Sequence, residues 1–287
     1  MRISENAGSV TVEGVEDFEL KHIFDCGQCF RWDMSSDGSY TGIAEGRAVR
    51  ISKSGNCVTI TNTTKEDFES FWKRYLDMDF DYANLKRNLS NDKVLADAIR
   101  SGEGIRILNQ DLWECIISFI ISANNNIPRI KAIIKTFCEL FGEEVLIGGV
   151  KLYTFPSFKR LSGINADDLK PLRAGYRDKF IVDAIEKVNS REVDLELIKA
   201  APYEEAKKEL LKIKGVGNKV ADCILLFGAG KKSAFPVDVW IKRVMETLYK
   251  DEMGSKDIRE FAKEKFGEYG GYAQQYLFYH MREMSRG

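Results

Sequence analysis

The sequence predicts an α+β protein, an N-terminal antiparallel β-sheet domain followed by an all-helical domain, and three observations carry that prediction. Up to Thr61, short β-branched and aromatic runs alternate with turn-forming clusters. From Thr64 onward the apolar residues recur at helical spacing instead. At 287 residues the chain has room for two domains of about 100 to 200 residues each. Its 44% hydrophobic and 30% charged side chains are the balance of an ordinary globular protein.

The strands are read in "FRWDM", "YTGIA", "AVRIS" and "CVTIT". Between them "SSDGS", "EGR" and "KSGN" supply turn chemistry, so the pattern is an antiparallel meander. "TKEDFESFWKRYL" then opens on Thr64 as an N-cap and places Phe68, Phe71, Trp72 and Tyr75 along one helical face. Further helices are expected over 111–124, 128–141, 177–189, 202–213, 218–227, 238–249, 256–266 and 271–283. Gly, Asn or Pro stands where each should stop, and Gly228 is read as the residue that closes the 218–227 helix. The expected division is a sheet domain with flanking helices over 1–95 and a helical domain over 96–287, with a helical hairpin at 202–228.

Several function classes are disfavoured at this level. No apolar run approaches the roughly 20 residues of a membrane span, and the longest, Cys115 to Ala123, is interrupted by Ser118 and Ser122. "MRISENAGSV" has no apolar signal core, which predicts a cytoplasmic protein. The six cysteines are then reduced thiols. Net charge is −1, but between Ala201 and Lys250 ten Lys/Arg face six Asp/Glu. Such a stretch either binds phosphates or is simply a solvated helix surface.

The segment "IKGVGNKVAD" concentrates the chemistry. Gly215 and Gly217 allow a turn too sharp for a residue with a Cβ and expose backbone N–H groups beside a helix N-terminus, a cradle for phosphate. A plain helical corner with a glycine cap has the same look. Lys219 follows where a helix already carries partial positive charge. Burial and that field are expected to lower its pKa from about 10.4 and leave a nucleophilic amine; a phosphate-contacting lysine is the alternative. Asp238, in "FPVDVW", stands where an N-cap belongs. A fixed carboxylate there could also stabilise an oxocarbenium-like sugar. Cys26 and Cys29, in "CGQC", have the spacing of a redox pair or half a zinc site, or are buried thiols. Zinc would need two further ligands, and His22 and His280 are the chain's only histidines.

The 213–221 pattern resembles the helix-hairpin-helix DNA-binding motif. With "PVD" it is similar to the helix-hairpin-helix superfamily of DNA glycosylases. "GQCFRW" (27–32), "NNNIPRI" (124–130), "GYR" (175–177), "GVGNKVADC" (215–223), "PVDVW" (236–240) and "GYAQQYLF" (271–278) resemble, in order, the 8-oxoguanine DNA glycosylase/lyase family. The resemblance implies that Lys219 attacks the anomeric carbon of a flipped-out nucleotide and that Asp238 supports the charge. It implies that Phe278 and Cys223 sandwich the base and Gln274 meets its Watson–Crick edge. The Gly27 carbonyl would accept from N7–H, which 8-oxoguanine has and guanine lacks. Asn124 would fill the vacated stack, while Arg129, Tyr176 and Arg177 face the orphaned cytosine. Gly215, Val216, Gly217 and residue 240 would hold phosphate, although Trp240 stands where several members have histidine.

The implied partner is double-stranded DNA containing 8-oxoguanine, bound by a monomer. No metal or cofactor is expected, since the cysteine tail of the iron–sulfur relatives is missing: no cysteine follows Cys223. A monofunctional alkylated-base glycosylase or a non-catalytic DNA-binding module are the competing readings. The first would need only Asp238, and the second would leave "PVD", Gln274 and Phe278 unexplained.

Overall fold

In a computed structural model of the chain, which describes residues 1–284, the first part is built on one antiparallel sheet of six strands. They are β1 (Arg2–Asn6), β2 (Ser9–Glu13), β3 (Trp32–Met34), β4 (Tyr40–Ala44), β5 (Arg47–Ser54) and β6 (Cys57–Thr61), in the order β1-β2-β6-β5-β4-β3. The last four are the expected meander. Sequence reading misses the β1–β2 hairpin for a physical reason: β1 lies at the sheet edge and is exposed along nearly its whole length. Only Val10 and Val12 of β2 point inward, too short an alternation to stand out.

The inner face packs Val10, Val12, Val49, Ile51, Val58 and Ile60 against Phe24, Trp32, Trp72 and Tyr75. Trp32 stacks on Phe24 at 4.3 Å and donates its indole N–H to the Tyr75 hydroxyl at 3.0 Å, which satisfies a buried donor. Phe24 closes the short helix α1 (Leu20–Phe24). Gly42 is opposite Trp32 in the ladder, and a Cβ there would come within 2.4 Å of the indole. After β6, α2 (Lys65–Asp67), a π-helical turn (Phe68–Trp72) and α3 (Lys73–Tyr75) follow without a break. Thr64 caps them as expected, its side chain accepting from the Asp67 amide at 3.1 Å. The wider π turn leaves Phe68, Phe71 and Trp72 all buried.

A second hydrophobic core gathers the helices. It includes Tyr82, Leu85 and Leu95 from α4 (Tyr82–Leu89) and α5 (Lys93–Ser101), and also Cys26 and Phe30 from the loop before β3. At its centre α6 (Leu112–Ser122) is buried at every position from Leu112 to Ile121 except Glu114. Around it lie α7 (Ile127–Phe141), α8 (Arg177–Asn189), α9 (Leu195–Ala200), α10 (Tyr203–Leu210), α11 (Asn218–Gly228), α12 (Val239–Leu248), α13 (Lys250–Met253), α14 (Ile258–Phe266) and α15 (Gly270–Met284). Gly228 does not close α11 through a left-handed cap; it is the helix's last residue, and a Cβ on it would sit 2.8 Å from Cys115 Cβ. Close packing of α11 on α6 explains that glycine.

A hairpin of β7 (Glu144–Ile147) and β8 (Val150–Tyr153) interrupts the helical part, turning at Gly148 and Gly149 with φ of 53° and 80°. "IGGV" carried that signal, since two glycines at positive φ between β-branched residues suit a type I′ turn. Arg31 fastens the two parts: its guanidinium pairs with Glu114 on α6 at 3.0 Å and donates to the Tyr153 carbonyl on β8. Among the described residues no helix is long and apolar enough to cross a membrane.

Candidate active site

Helices α6, α9, α12 and α14 each begin on an aspartate, Asp111, Asp194, Asp238 or Asp257, whose side chain accepts amides of the first turn. Helix α11 begins on Gly217 with no side-chain cap. Its first intrahelical bond runs from the Ala221 amide to the Gly217 carbonyl at 2.9 Å. The amides of Gly217, Asn218 and Lys219 donate no hydrogen bond among the described residues, which is the condition a helix N-terminus must meet to take an anion.

The two hairpin glycines differ. Gly215 has φ +83°, and its missing Cβ would lie 2.3 Å from the Phe180 ring, so both conformation and packing demand glycine. Gly217 has φ −92° and nothing within 4 Å of where a Cβ would be. The expectation that both glycines make the turn is therefore corrected: Gly217 keeps the approach clear. Val216 is also corrected. Its side chain is buried and its amide is committed to the Ile213 carbonyl at 3.1 Å, so it anchors the hairpin rather than offering a donor. Asp183, which sequence reading missed, holds the hairpin from α8 by accepting the Lys214 amide at 2.8 Å.

Lys219 and Asp238 face the same space. An outer groove of about 870 Å³ and an inner cavity of about 60 Å³ both have Gly27, Phe119, Lys219, Asp238 and Phe278 in their walls. Asp238 is the N-cap of α12, its Oδ1 accepting from the amides of Trp240 at 3.1 Å and Ile241 at 2.8 Å. Its Oδ2 has no hydrogen-bond partner among the described residues. Capping and a free carboxylate oxygen coexist, because one oxygen serves the helix and the other remains open. Burial raises the Asp238 pKa, against the Ile241 amide, the Lys219 charge, the Trp240 amide and the residue's own amide.

The expected depression of Lys219 is opposed by its neighbours. Its pKa is raised, first by negative charge on the Cys223 sulfur one helical turn away and also by Asp238, and these together outweigh burial. Burial pushes the Cys223 thiol itself up to about 11. Through the neutral range Cys223 is thus a thiol, so the first of these causes is absent there, and burial and the Asp238 charge act on Lys219 in opposite directions. Any proton the lysine carries must leave before it can attack.

The inner cavity holds the other lesion-side residues together: Gly27, Cys223, Gln274 and Phe278 all line it. Gln274 is 5% exposed, and its Oε1 is buried without a hydrogen-bond partner. An orphaned buried acceptor costs about 1 to 3 kcal/mol unless something donates to it. At about 60 Å³ the cavity is small, with space for a few waters. Half-buried Phe278 lines both the cavity and the groove.

Of the four residues expected at the opposite strand, Asn124 lines the groove and Arg177 joins its loop, and the four are in two states. Asn124 is exposed with φ +50°, and Tyr176 is 53% exposed. Arg129 is exposed and donates once, to the Arg173 carbonyl at 3.1 Å. Arg177, by contrast, is buried. It donates to the carbonyls of Ala123 at 3.0 Å, Ala174 at 3.0 Å and Asn124 at 2.9 Å. In this state it braces the Asn124 loop, and the picture of an arginine fork open to a base is corrected for Arg177. Trp240 lines the groove half-buried, with the Arg243 guanidinium 5.4 Å from its ring centre. Cys26 and Cys29 are buried free thiols, each donating to a carbonyl of α1, Ile23 or Phe24.

A glycine hairpin with a lysine and a capping aspartate on one cavity defines a DNA glycosylase of the helix-hairpin-helix class. Comparison with known proteins narrows this. Residues 11–116 match the 8-oxoguanine DNA glycosylase N-terminal domain, and residues 117–268 match the HhH-GPD superfamily of base excision DNA repair proteins. A probable N-glycosylase/DNA lyase of Methanothermobacter thermautotrophicus is 34% identical over 241 residues, 77% of this chain and 75% of that protein. The N-glycosylase/DNA lyase of Saccharomyces cerevisiae is 28% identical over 90% of this chain and 82% of its own. The solved Clostridium acetobutylicum 8-oxoguanine glycosylase/lyase, in complex with double-stranded DNA containing cytosine opposite 8-oxoguanine, superposes with a TM-score of 0.96 at 45% identity, covering 99% of each chain. This chain belongs to the 8-oxoguanine DNA glycosylase family of the HhH-GPD superfamily.

Proposed function

We propose that the chain excises 8-oxoguanine from duplex DNA and then cuts the strand at the resulting site, as an N-glycosylase/DNA lyase. The observation that carries this is the shared cavity of Lys219, Asp238 and the unpartnered Gln274 acceptor. Duplex DNA lies along the groove, with its backbone on the open amides of α11. The damaged nucleotide rotates out of the stack and parts Phe278 from Cys223 as the base enters. Gln274 Oε1 then accepts from an N–H of the base's Watson–Crick edge, and the Gly27 carbonyl accepts from N7–H.

Lys219, once deprotonated, forms its bond to C1′ as the glycosidic bond breaks and the electron pair leaves with the base. The free Asp238 oxygen faces the sugar as positive charge develops on it. Opening of the sugar ring gives a Schiff base, loss of a C2′ proton follows, and the 3′-phosphate is expelled by β-elimination. Asn124 fills the vacated stack, Tyr176 wedges beside it, and Arg129 reads the orphaned cytosine while Arg177 braces the Asn124 loop. The protein acts as a monomer in the cytoplasm, at the nucleoid if the cell is prokaryotic. A monofunctional alkylated-base glycosylase would leave Lys219 without a task.

The test is borohydride reduction of the protein mixed with an 8-oxoguanine duplex. The present sequence should be trapped covalently, and Lys219→Gln should lose both the adduct and excision while still binding the lesion. Strand nicking that survives in Lys219→Gln at the parent rate would sink the mechanism.

A further inference from the structure

We propose that Gln275 and Gln110 are positioning residues that hold the peptide carbonyls on either side of Gly27, so that the Gly27 carbonyl stays aimed at the damaged base. The proposal rests on the reading of Gly27 as acceptor for N7–H. Gly27 has φ +87°, and a glycine there is the residue around which a peptide plane most easily turns over. Selectivity by one carbonyl needs that plane fixed.

The fixing comes from outside the loop. Gln275 is 2% exposed, and its Nε2 donates to the Cys26 carbonyl at 3.3 Å. Gln110 Nε2 donates to the Gln28 carbonyl at 2.7 Å. Because each peptide unit is planar, these bonds set the 26–27 and 28–29 planes and leave the 27–28 plane between two anchors. The Gln28 side chain, fully buried, adds a third anchor. Its Nε2 donates to the carbonyls of Ile23 at 2.9 Å and Arg106 at 2.8 Å, and its Oε1 accepts the Leu108 amide at 2.9 Å. Arg282 donates to the Asp25 carbonyl at 2.8 Å. Asp25, Cys26 and Gln28 thus have their carbonyls engaged by side chains, while Gly27's accepts no hydrogen bond from the described residues.

The same contacts tie the loop to the reacting groups. The Gln110 amide donates to the Phe227 carbonyl at 2.9 Å, near the end of the helix that carries Lys219. Gln275 follows Gln274 directly in α15, so one turn of helix holds the base's edge and aims the carbonyl opposite.

The experiment uses duplexes carrying 8-oxoguanine or 8-methoxyguanine, which keeps an oxygen at C8 but has a lone pair at N7. Dissociation constants are taken in the Lys219→Gln background so that no duplex is cut, with Gln275→Met or Gln110→Met added. Nicking of a preformed abasic site, which needs Lys219 but no base pocket, is measured without the Lys219 change. Each glutamine variant is expected to narrow the preference for 8-oxoguanine by about 5- to 150-fold, the equivalent of one buried hydrogen bond, and to nick abasic DNA at the parent rate. A preference unchanged in both variants, or abasic nicking that falls in step with it, overturns the proposal. If Gln275→Met fails to melt cooperatively, Gln110→Met at its half-buried position decides alone. Equal binding of both duplexes by the parent would instead remove the Gly27 reading itself.

Discussion

The lesion end of the groove and the opposite-strand end use polar groups in opposite ways. Around the inner cavity the reactive groups keep valences open: one oxygen of Asp238, the Oε1 of Gln274 and the Gly27 carbonyl have no partner among the described residues. At the other end Arg177 is spent on three backbone carbonyls, and Arg129 makes a single weakly shielded contact at the surface. The first region is prepared for a ligand before it arrives. The second is satisfied without one, so reading the opposite base requires exchanging protein hydrogen bonds for DNA. Open buried acceptors cost stability and favour a tight match, whereas satisfied donors cost nothing until binding asks for them.

The sharpest way to break this comparison is Asp238→Asn. The variant keeps a capping side chain but loses the charge, so single-turnover excision should fall by about 100-fold or more, the scale for removing one preorganised electrostatic group. Stability should not fall with it. Because burial raises the folded-state pKa of Asp238, its ionised form is a burden on the fold at neutral pH, a stabilising term present at low pH and lost as pH rises through the folded pKa. Thermal melting of Asp238→Asn at neutral pH is expected at or above the parent value. A large drop in Tm with little loss of rate would make Asp238 a cap and nothing more.

Next in size is the contrast between the arginines. Arg177→Met strips donors from three carbonyls and should destabilise by about 1 to 3 kcal/mol or more in urea unfolding, with opposite-base preference lost alongside. Arg129→Met should leave stability unchanged and relax the preference for cytosine over adenine by about 1 to 3 kcal/mol, measured as the ratio of single-turnover rates. If the two variants behave alike, the division into brace and reader is wrong.

The pH profile separates the two catalytic groups. Excision should be lost on the acid side at a pH above that of an ordinary aspartate, since the Asp238 pKa is raised. On the alkaline side a rate that keeps climbing through pH 9, by about tenfold per unit where the amine is the minor form, would show that the Asp238 charge outweighs burial at Lys219. A plateau beginning near neutrality would show a depressed lysine instead.

The smallest effect expected is at Gly217. Gly217→Ala meets no atom within 4 Å, so Tm should change little, while affinity for undamaged duplex at low salt should weaken as the methyl enters the phosphate's path. Gly215→Ala, facing Phe180 at 2.3 Å with φ +83°, should lose stability outright. Equal effects of the two on melting would contradict the assignment of Gly217 to the ligand.

Much of this was determined by the sequence alone, wherever the physics is short-range. The meander, the helices and the caps on Thr64 and Asp238 follow from periodicity and first-turn hydrogen bonding, which involve residues a few positions apart. The ordered motifs likewise brought Lys219, Asp238, Gln274 and Phe278 to one site. Tertiary structure decided what depends on neighbours distant in the chain. Lys219 and Asp238, nineteen positions apart, face the same cavity, and no local pattern reveals the balance of burial against charge that acts on the lysine there. Arg177 is a buried brace because the turn after Ile121 runs beside it, Gly228 is small because α6 lies against it, and Gly217 is bare because nothing packs there. Gln110 and Gln275 come from two segments distant from the Gly27 loop, and only the folded chain brings their side-chain amides to the carbonyls on either side of Gly27.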